Sequence, residues 1–124
     1  RERIKINGKK ISKSYITKFV NENFLFLKKN KFSFFEITFA LAISFFSRKE
    51  VDYAVIETGL GGRLDATNII KPIVSLITNV GLDHQQFLGN SLEQIAYEKA
   101  GIIKKNTPII ISEYNKKTYP VFKK

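Results

Sequence analysis

The sequence predicts an α/β fold with a parallel sheet flanked by helices. Three apolar runs, Val51–Ile56, Ile73–Val80 and Pro108–Ser112, read as strands. A helical pattern precedes the first and another separates the second from the third, and near-continuous apolar strands are the mark of a sheet covered on both faces. The first strand ends on an acid, Glu57, followed by Gly59, Gly61 and Gly62. A carboxylate at a strand end beside a flexible loop is where an α/β sheet places ligand chemistry. The loop is not the dinucleotide-binding fingerprint, because Leu64 stands where its third glycine would fall. Its glycines let backbone N–H groups approach a substrate or anion closely. The alternative is a glycine-rich turn with a structural aspartate.

The elements follow in order. Arg3–Asn7 alternates charged and apolar residues and reads as a strand, with Asn7-Gly8 as its turn. Ser12 or Ser14 caps a helix running to about Leu27, with Ile16, Phe19, Val20, Phe24 and Leu27 along one side. Phe34–Phe46 is apolar nearly all round and long enough for a buried helix. Ser33 is its N-cap, and Glu36 completes a capping box. After Ile73–Val80 comes a polar loop, GLDHQQFLGN. Ser91 then opens a further helix, with Gln94 completing a second capping box. The tail from Glu113 is basic and weakly patterned.

The chain has 124 residues, one domain's worth, and 44% are hydrophobic. No cysteine is present, which excludes disulfides and thiolate metal sites. No apolar run reaches a membrane span, and residues 1–20 lack a signal-peptide core, so the expectation is a cytoplasmic protein with no membrane partner. The net charge is +10, with 21 Lys and Arg against 11 Asp and Glu. The lysines are spread in small pairs, from Lys9–Lys10 to Lys123–Lys124, rather than clustered among aromatics. That pattern fits a solvated surface better than a nucleic-acid interface, and its field also suits a polyanionic small substrate.

Three residues stand out chemically. His84, the single histidine, follows Asp83 in the polar loop after a strand. Lys99 lies in the helix opened by Ser91, and Glu57 ends the first central strand. Loops after neighbouring parallel strands emerge on one edge of a sheet, so all three side chains are expected to converge there.

The stretches ETGLGGRLDATN and ITNVGLDHQQFLGNSLEQIAYEKAGIIK together resemble the paired signatures of folylpolyglutamate synthases and dihydrofolate synthases, cytoplasmic members of the Mur ligase superfamily. The likeness extends back through FSFFEITFALAISFF and RERIKING and covers most of the chain up to Ser112. It implies ATP-dependent joining of L-glutamate to dihydropteroate or folate through an acyl phosphate, with ATP as co-substrate and magnesium as cofactor. It implies that Glu57 and His84 are magnesium ligands and that Lys99 is carbamylated and also faces the metal. Glu57 and His84 lie 27 residues apart, and His84 and Lys99 15, as in the family pattern. Ser33, Phe35, Asp65 and Ala66 match the family's pteridine-gripping positions, with Ser33 in place of the usual threonine. The family's P-loop is missing, since no G-x-x-x-x-G-K-[ST] occurs here, and its C-terminal domain is missing too. The resemblance thus implies a single partial domain over residues 1–124, an internal piece of the central ATP-binding domain. The intact protein is expected to be a monomer. The alternatives are another amino-acid ligase of the superfamily and an inactive piece that binds an anion or a partner.

Overall fold

The computed structural model describes residues 1–123, so Lys124 of the Lys123–Lys124 pair lies outside it. The chain divides into two compact units, Arg1–Ile56 and Glu57–Lys124.

The first unit opens with an antiparallel hairpin, β1 (Lys5–Ile6) against β2 (Lys9–Lys10). Asn7 (φ 49°) and Gly8 (φ 76°) both occupy the left-handed region, as an Asn-Gly turn between two-residue-linked strands requires. Three helices follow: α1 (Lys13–Glu22), α2 (Phe24–Lys29) and α3 (Phe34–Arg48). Ser12 caps α1 by accepting from the Tyr15 N–H at 3.1 Å. The single helix expected up to Leu27 is broken at Asn23. The Asn23 amide donates to the Phe19 carbonyl at 2.8 Å, a local competitor for the helical ladder. The capping box on α3 is complete: the Glu36 N–H donates to Ser33 Oγ and the Ser33 N–H to the Glu36 carboxylate at 2.7 Å. Helix α3 buries Phe39, Leu41 and Phe45, while Phe34 at its start is exposed, so it is buried along one stripe and not all round. Leu41 and Phe45 join Ile4 and Ile11 in the core of this unit, with Tyr15 edge-on to Phe45.

The stretch expected as the first central strand, Val51–Ile56, is not a strand among the described residues: it belongs to no sheet, and a bend falls at Asp52. Tyr53 is 80% and Val55 98% exposed, and residues 52–56 make no backbone–backbone hydrogen bond among the described residues. Its β-branched residues favour an extended backbone, but a strand exists only when a neighbour supplies the other half of the ladder.

The second unit holds the parallel pair, β3 (Ser75–Ile77) with β4 (Ile109–Ile111), shorter than the two apolar runs that contain them. Between them lie α4 (Gln85–Leu88) and α5 (Leu92–Ala100), the crossover that a parallel pair needs. A short helix, α6 (Tyr119–Phe122), ends the unit, in a tail for which no element was expected. Ile77, Ile95 and Ala96 are buried, and Ser75 Oγ donates to the Ile102 carbonyl at 3.1 Å, tying β3 to the segment after α5. The fold is therefore α/β with a small parallel sheet and helices, as the sequence predicts. Among the described residues no helix is long and apolar enough to cross a membrane.

Candidate functional site

The second unit is built around one loop, residues 57–70, clamped onto the end of α5. Asp65 organises the loop. One of its carboxylate oxygens accepts from the N–H groups of Gly59 and Leu60, both at 2.8 Å. The other accepts from the Thr67 N–H at 2.9 Å and the Thr67 hydroxyl at 2.6 Å, capping a 3₁₀ turn over Ala66–Ile69. Gly61 sits at φ 65° and makes the bend that a side chain would resist.

The loop then meets α5 backbone to backbone. The Arg63 N–H donates to the Glu98 carbonyl at 2.8 Å. The Arg63 guanidinium grips the Glu98 carboxylate, Nη2 to Oε1 at 3.0 Å and Nε to both oxygens at 3.2 Å. That bond to a carboxylate holds the guanidinium protonated, above its ordinary range. Its Cζ also lies 5.5 Å from the Tyr97 ring centroid. Asn68 completes the clamp: its amide donates to the Arg63 and Gly101 carbonyls, each at 3.0 Å, and its side-chain oxygen accepts from Lys104 Nζ at 2.6 Å. Two glycines make the approach possible. A methyl on Gly101 would stand 2.2 Å from Arg63 Cα, and one on Gly62 would stand 2.8 Å from Ile102 Cγ2 and 3.0 Å from the Glu98 carbonyl.

The expected site residues fall into two groups. Ser33 and Phe35 belong to the first unit, Ser33 as the cap of α3 and Phe35 half-buried in its first turn. Glu57, Asp65, Ala66, His84 and Lys99 belong to the second. Glu57 is exposed and follows the unpaired segment Val51–Ile56, not a buried strand. His84 precedes α4 with a left-handed backbone, φ 52° and ψ 36°, a conformation uncommon for a residue with a side chain. Lys99 is half-buried in the last turn of α5. Among the described residues the side chains of Glu57, His84 and Lys99 make no hydrogen bond and no ion pair, so their donor atoms are uncommitted. No group of three or more His, Asp or Glu side chains gathers as a ready-made metal cluster among the described residues. The structure brings the loop that follows Glu57 onto the helix that carries Lys99. Asp65 is there a loop organiser with four donors on its two oxygens.

Sequence reasoning passed over Arg63, Asn68, Glu98, Gly101 and Lys104 as participants. The available signal was the glycines. Gly101 has an ordinary helical φ of −58°, so a positive φ does not explain it, and close approach of another backbone does.

Comparison with known proteins agrees with this architecture. The dihydrofolate synthase/folylpolyglutamate synthase of Bacillus subtilis is 43% identical over 116 residues, covering 88% of this chain and 27% of that protein. The apo form of the L. casei folylpolyglutamate synthase superposes with a TM-score of 0.91 at 36% identity, covering 98% of this chain and 32% of the other. Escherichia coli FolC in complex with DHPP and ADP superposes at 0.88 with 33% identity, covering 98% and 30%. The chain spans 21–27% of the length of the curated relatives it matches first. Residues 5–123, running through both units, match the Mur ligase middle domain. The chain belongs to the Mur ligase family, as its middle domain, and its relatives there are folylpolyglutamate and dihydrofolate synthases.

Proposed function

We propose that this chain is part of an ATP-dependent ligase that joins L-glutamate to dihydropteroate or folate. The observation that carries the reading is the clamp. It sets the loop after one candidate metal ligand, Glu57, against the helix bearing another, Lys99. The names of the relatives support the substrate class, and the nucleotide bound to FolC supports ATP as co-substrate.

In this reading a substrate carboxylate attacks the γ-phosphorus of ATP, and ADP leaves with the electrons of the broken P–O bond. The glutamate amine then attacks the acyl carbon of the resulting acyl phosphate. Inorganic phosphate departs, the amine loses a proton, and an amide bond remains. The first step drives one anion at another, so positive charge is needed where the negative charge builds. Magnesium, when bound, supplies that charge. The donor set fits: Glu57 offers a hard carboxylate and His84 an imidazole, both uncommitted. Lys99, once its neutral amine has added carbon dioxide, offers an anionic oxygen in place of a cation. In the first unit Phe35 offers a flat face to a pteridine, and Ser33, Asp65 and Ala66 are candidate substrate positions through the resemblance alone. No G-x-x-x-x-G-K-[ST] occurs in residues 1–124, so this reading needs a phosphate-cradling loop that these residues do not supply.

The test uses the protein encoded by the complete reading frame in which these residues lie. ADP release should require L-glutamate together with dihydropteroate or folate. Lys99→Ala should cut turnover by at least a hundredfold while the melting temperature stays put. Unchanged turnover would remove Lys99 from the site, and absence of glutamate-dependent ADP release would end the ligase reading.

A further inference from the structure

Resting on the ligase reading above, we propose that Arg63 is a positioning residue for Lys99, acting through its pair with Glu98. A lysine ends a long flexible stem, so where its nitrogen goes depends first on where its Cα is held. Lys99 sits between two pinned neighbours. Glu98, before it, is held by the Arg63 N–H at 2.8 Å and by the Arg63 guanidinium at 3.0 Å. Gly101, two residues after it, is held by Asn68, whose amide also binds the Arg63 carbonyl. Positions 98 and 101 are three apart, so they share a helix face one turn from each other. Pinning both fixes the rotation and the advance of the last turn of α5, and with them the direction in which Lys99 leaves the helix.

The other side of the clamp is equally rigid. Asp65 binds the Gly59 and Leu60 N–H groups, so the frame that holds Arg63 reaches to within two residues of Glu57. Arg63 thereby links the segments carrying two of the three candidate metal ligands. A solvated ion pair adds little to stability. The Arg63 side chain is 41% exposed and that of Glu98 19% exposed. The planar fork instead fixes geometry, because two parallel N–H···O bonds specify orientation as well as distance. Lysine at position 63 would keep the charge and lose that specification.

The experiment uses the complete protein and two readouts, steady-state kinetics and Mn²⁺ binding followed by electron paramagnetic resonance. Arg63→Ala and Arg63→Lys should each lower kcat at least tenfold and weaken Mn²⁺ binding several-fold. KM for ATP should stay within about twofold of the parent and the melting temperature within a few degrees. The exchanged pair, Arg63→Glu with Glu98→Arg, should recover most of the lost kcat and Mn²⁺ affinity. Ile11→Val, a core change in the first unit, serves as the stability control and should leave both readouts unchanged. Parental kcat and Mn²⁺ affinity in Arg63→Lys would overturn the proposal while leaving the ligase reading intact. So would losses that track melting temperature and are not recovered by the exchanged pair. A parent protein without glutamate-dependent ADP release would instead overturn the ligase reading, and this proposal with it.

Discussion

Replacing Gly101 by alanine tests the clamp where two arguments give opposite signs. Gly101 has helical angles, φ −58° and ψ −17°, so helix propensity alone predicts that alanine stabilises by about 0.5–1 kcal/mol. The packing predicts the reverse. The new methyl would stand 2.2 Å from Arg63 Cα, 2.4 Å from its Cβ and 2.7 Å from its nitrogen, and ordinary contact begins at 3.4 Å. The loop must therefore retreat by 1.2 Å, the difference between 3.4 and 2.2. The obstacle is backbone, so rotating a side chain cannot relieve it. A retreat of that size breaks the Arg63–Glu98 backbone bond, now 2.8 Å, and the Asn68 bond to the Gly101 carbonyl, now 3.0 Å. Overpacking costs about 1–3 kcal/mol, and two lost hydrogen bonds about 1 kcal/mol each. The sum is roughly 3–5 kcal/mol, a large share of the 5–15 kcal/mol that holds a typical domain. At roughly 4 °C per kcal/mol, the value between those for smaller and larger domains, melting should fall by about 12 °C or more. Circular dichroism melts of the 124-residue chain read this directly. Gly8→Ala is the comparison: it meets nothing within 4 Å and carries only the strain of φ 76°, about 1–2 kcal/mol. A Gly101→Ala variant that melts with or above the parent, or no lower than Gly8→Ala, refutes the clamp.

Three further outcomes follow from the same geometry. Asp65→Asn turns one acceptor into a donor facing N–H groups, either those of Gly59 and Leu60 or that of Thr67; amide exchange at Gly59 and Leu60 should accelerate at least tenfold, and parental protection would count against Asp65 as organiser. Ser33→Ala should destabilise the first unit by about 1 kcal/mol at neutral pH. Ser33, through its side chain first and its backbone N–H second, holds the Glu36 carboxyl below its ordinary 4.5. A carboxyl depressed by folding contributes stability above its unfolded value and loses it as pH falls through the folded one, so the gap between parent and variant in urea melts should shrink in acid. A gap that stays constant with pH would show that Glu36 takes no part in the cap. Finally, the 124-residue chain should show no micromolar ATP site by calorimetry, and finding one would mean that these residues cradle phosphates by a route other than a P-loop.

What the sequence discloses and what it hides divide along the range of the interactions. The Asn7-Gly8 turn, the Ser12 cap and the Ser33–Glu36 box each join residues three positions apart, so neighbouring letters state them completely. Even there the backbone has a say: Gln94 reads as the partner of Ser91, but its side chain accepts from Asn90 N–H at 2.7 Å instead, one residue earlier. Val51–Ile56 shows a different limit. β-Branched side chains favour a strand, whereas pairing depends on residues elsewhere, so the apolar run predicted a buried strand that the structure does not form. The clamp lies beyond local reading altogether. Arg63 and Glu98 are 35 residues apart and Asn68 and Gly101 33, and no periodicity links positions so separated. Their trace in the sequence is the pair of glycines at 62 and 101, each of which looks like a turn or a helix stop when read alone. Only their steric meeting with Glu98, Ile102 and Arg63 reveals a shared purpose, the close seating of one loop on one helix. The candidate chemical residues Glu57 and Lys99 were picked out for their own functional groups. The structure adds the reason they belong to one argument: the segments that carry them are fastened together by residues that do no chemistry themselves.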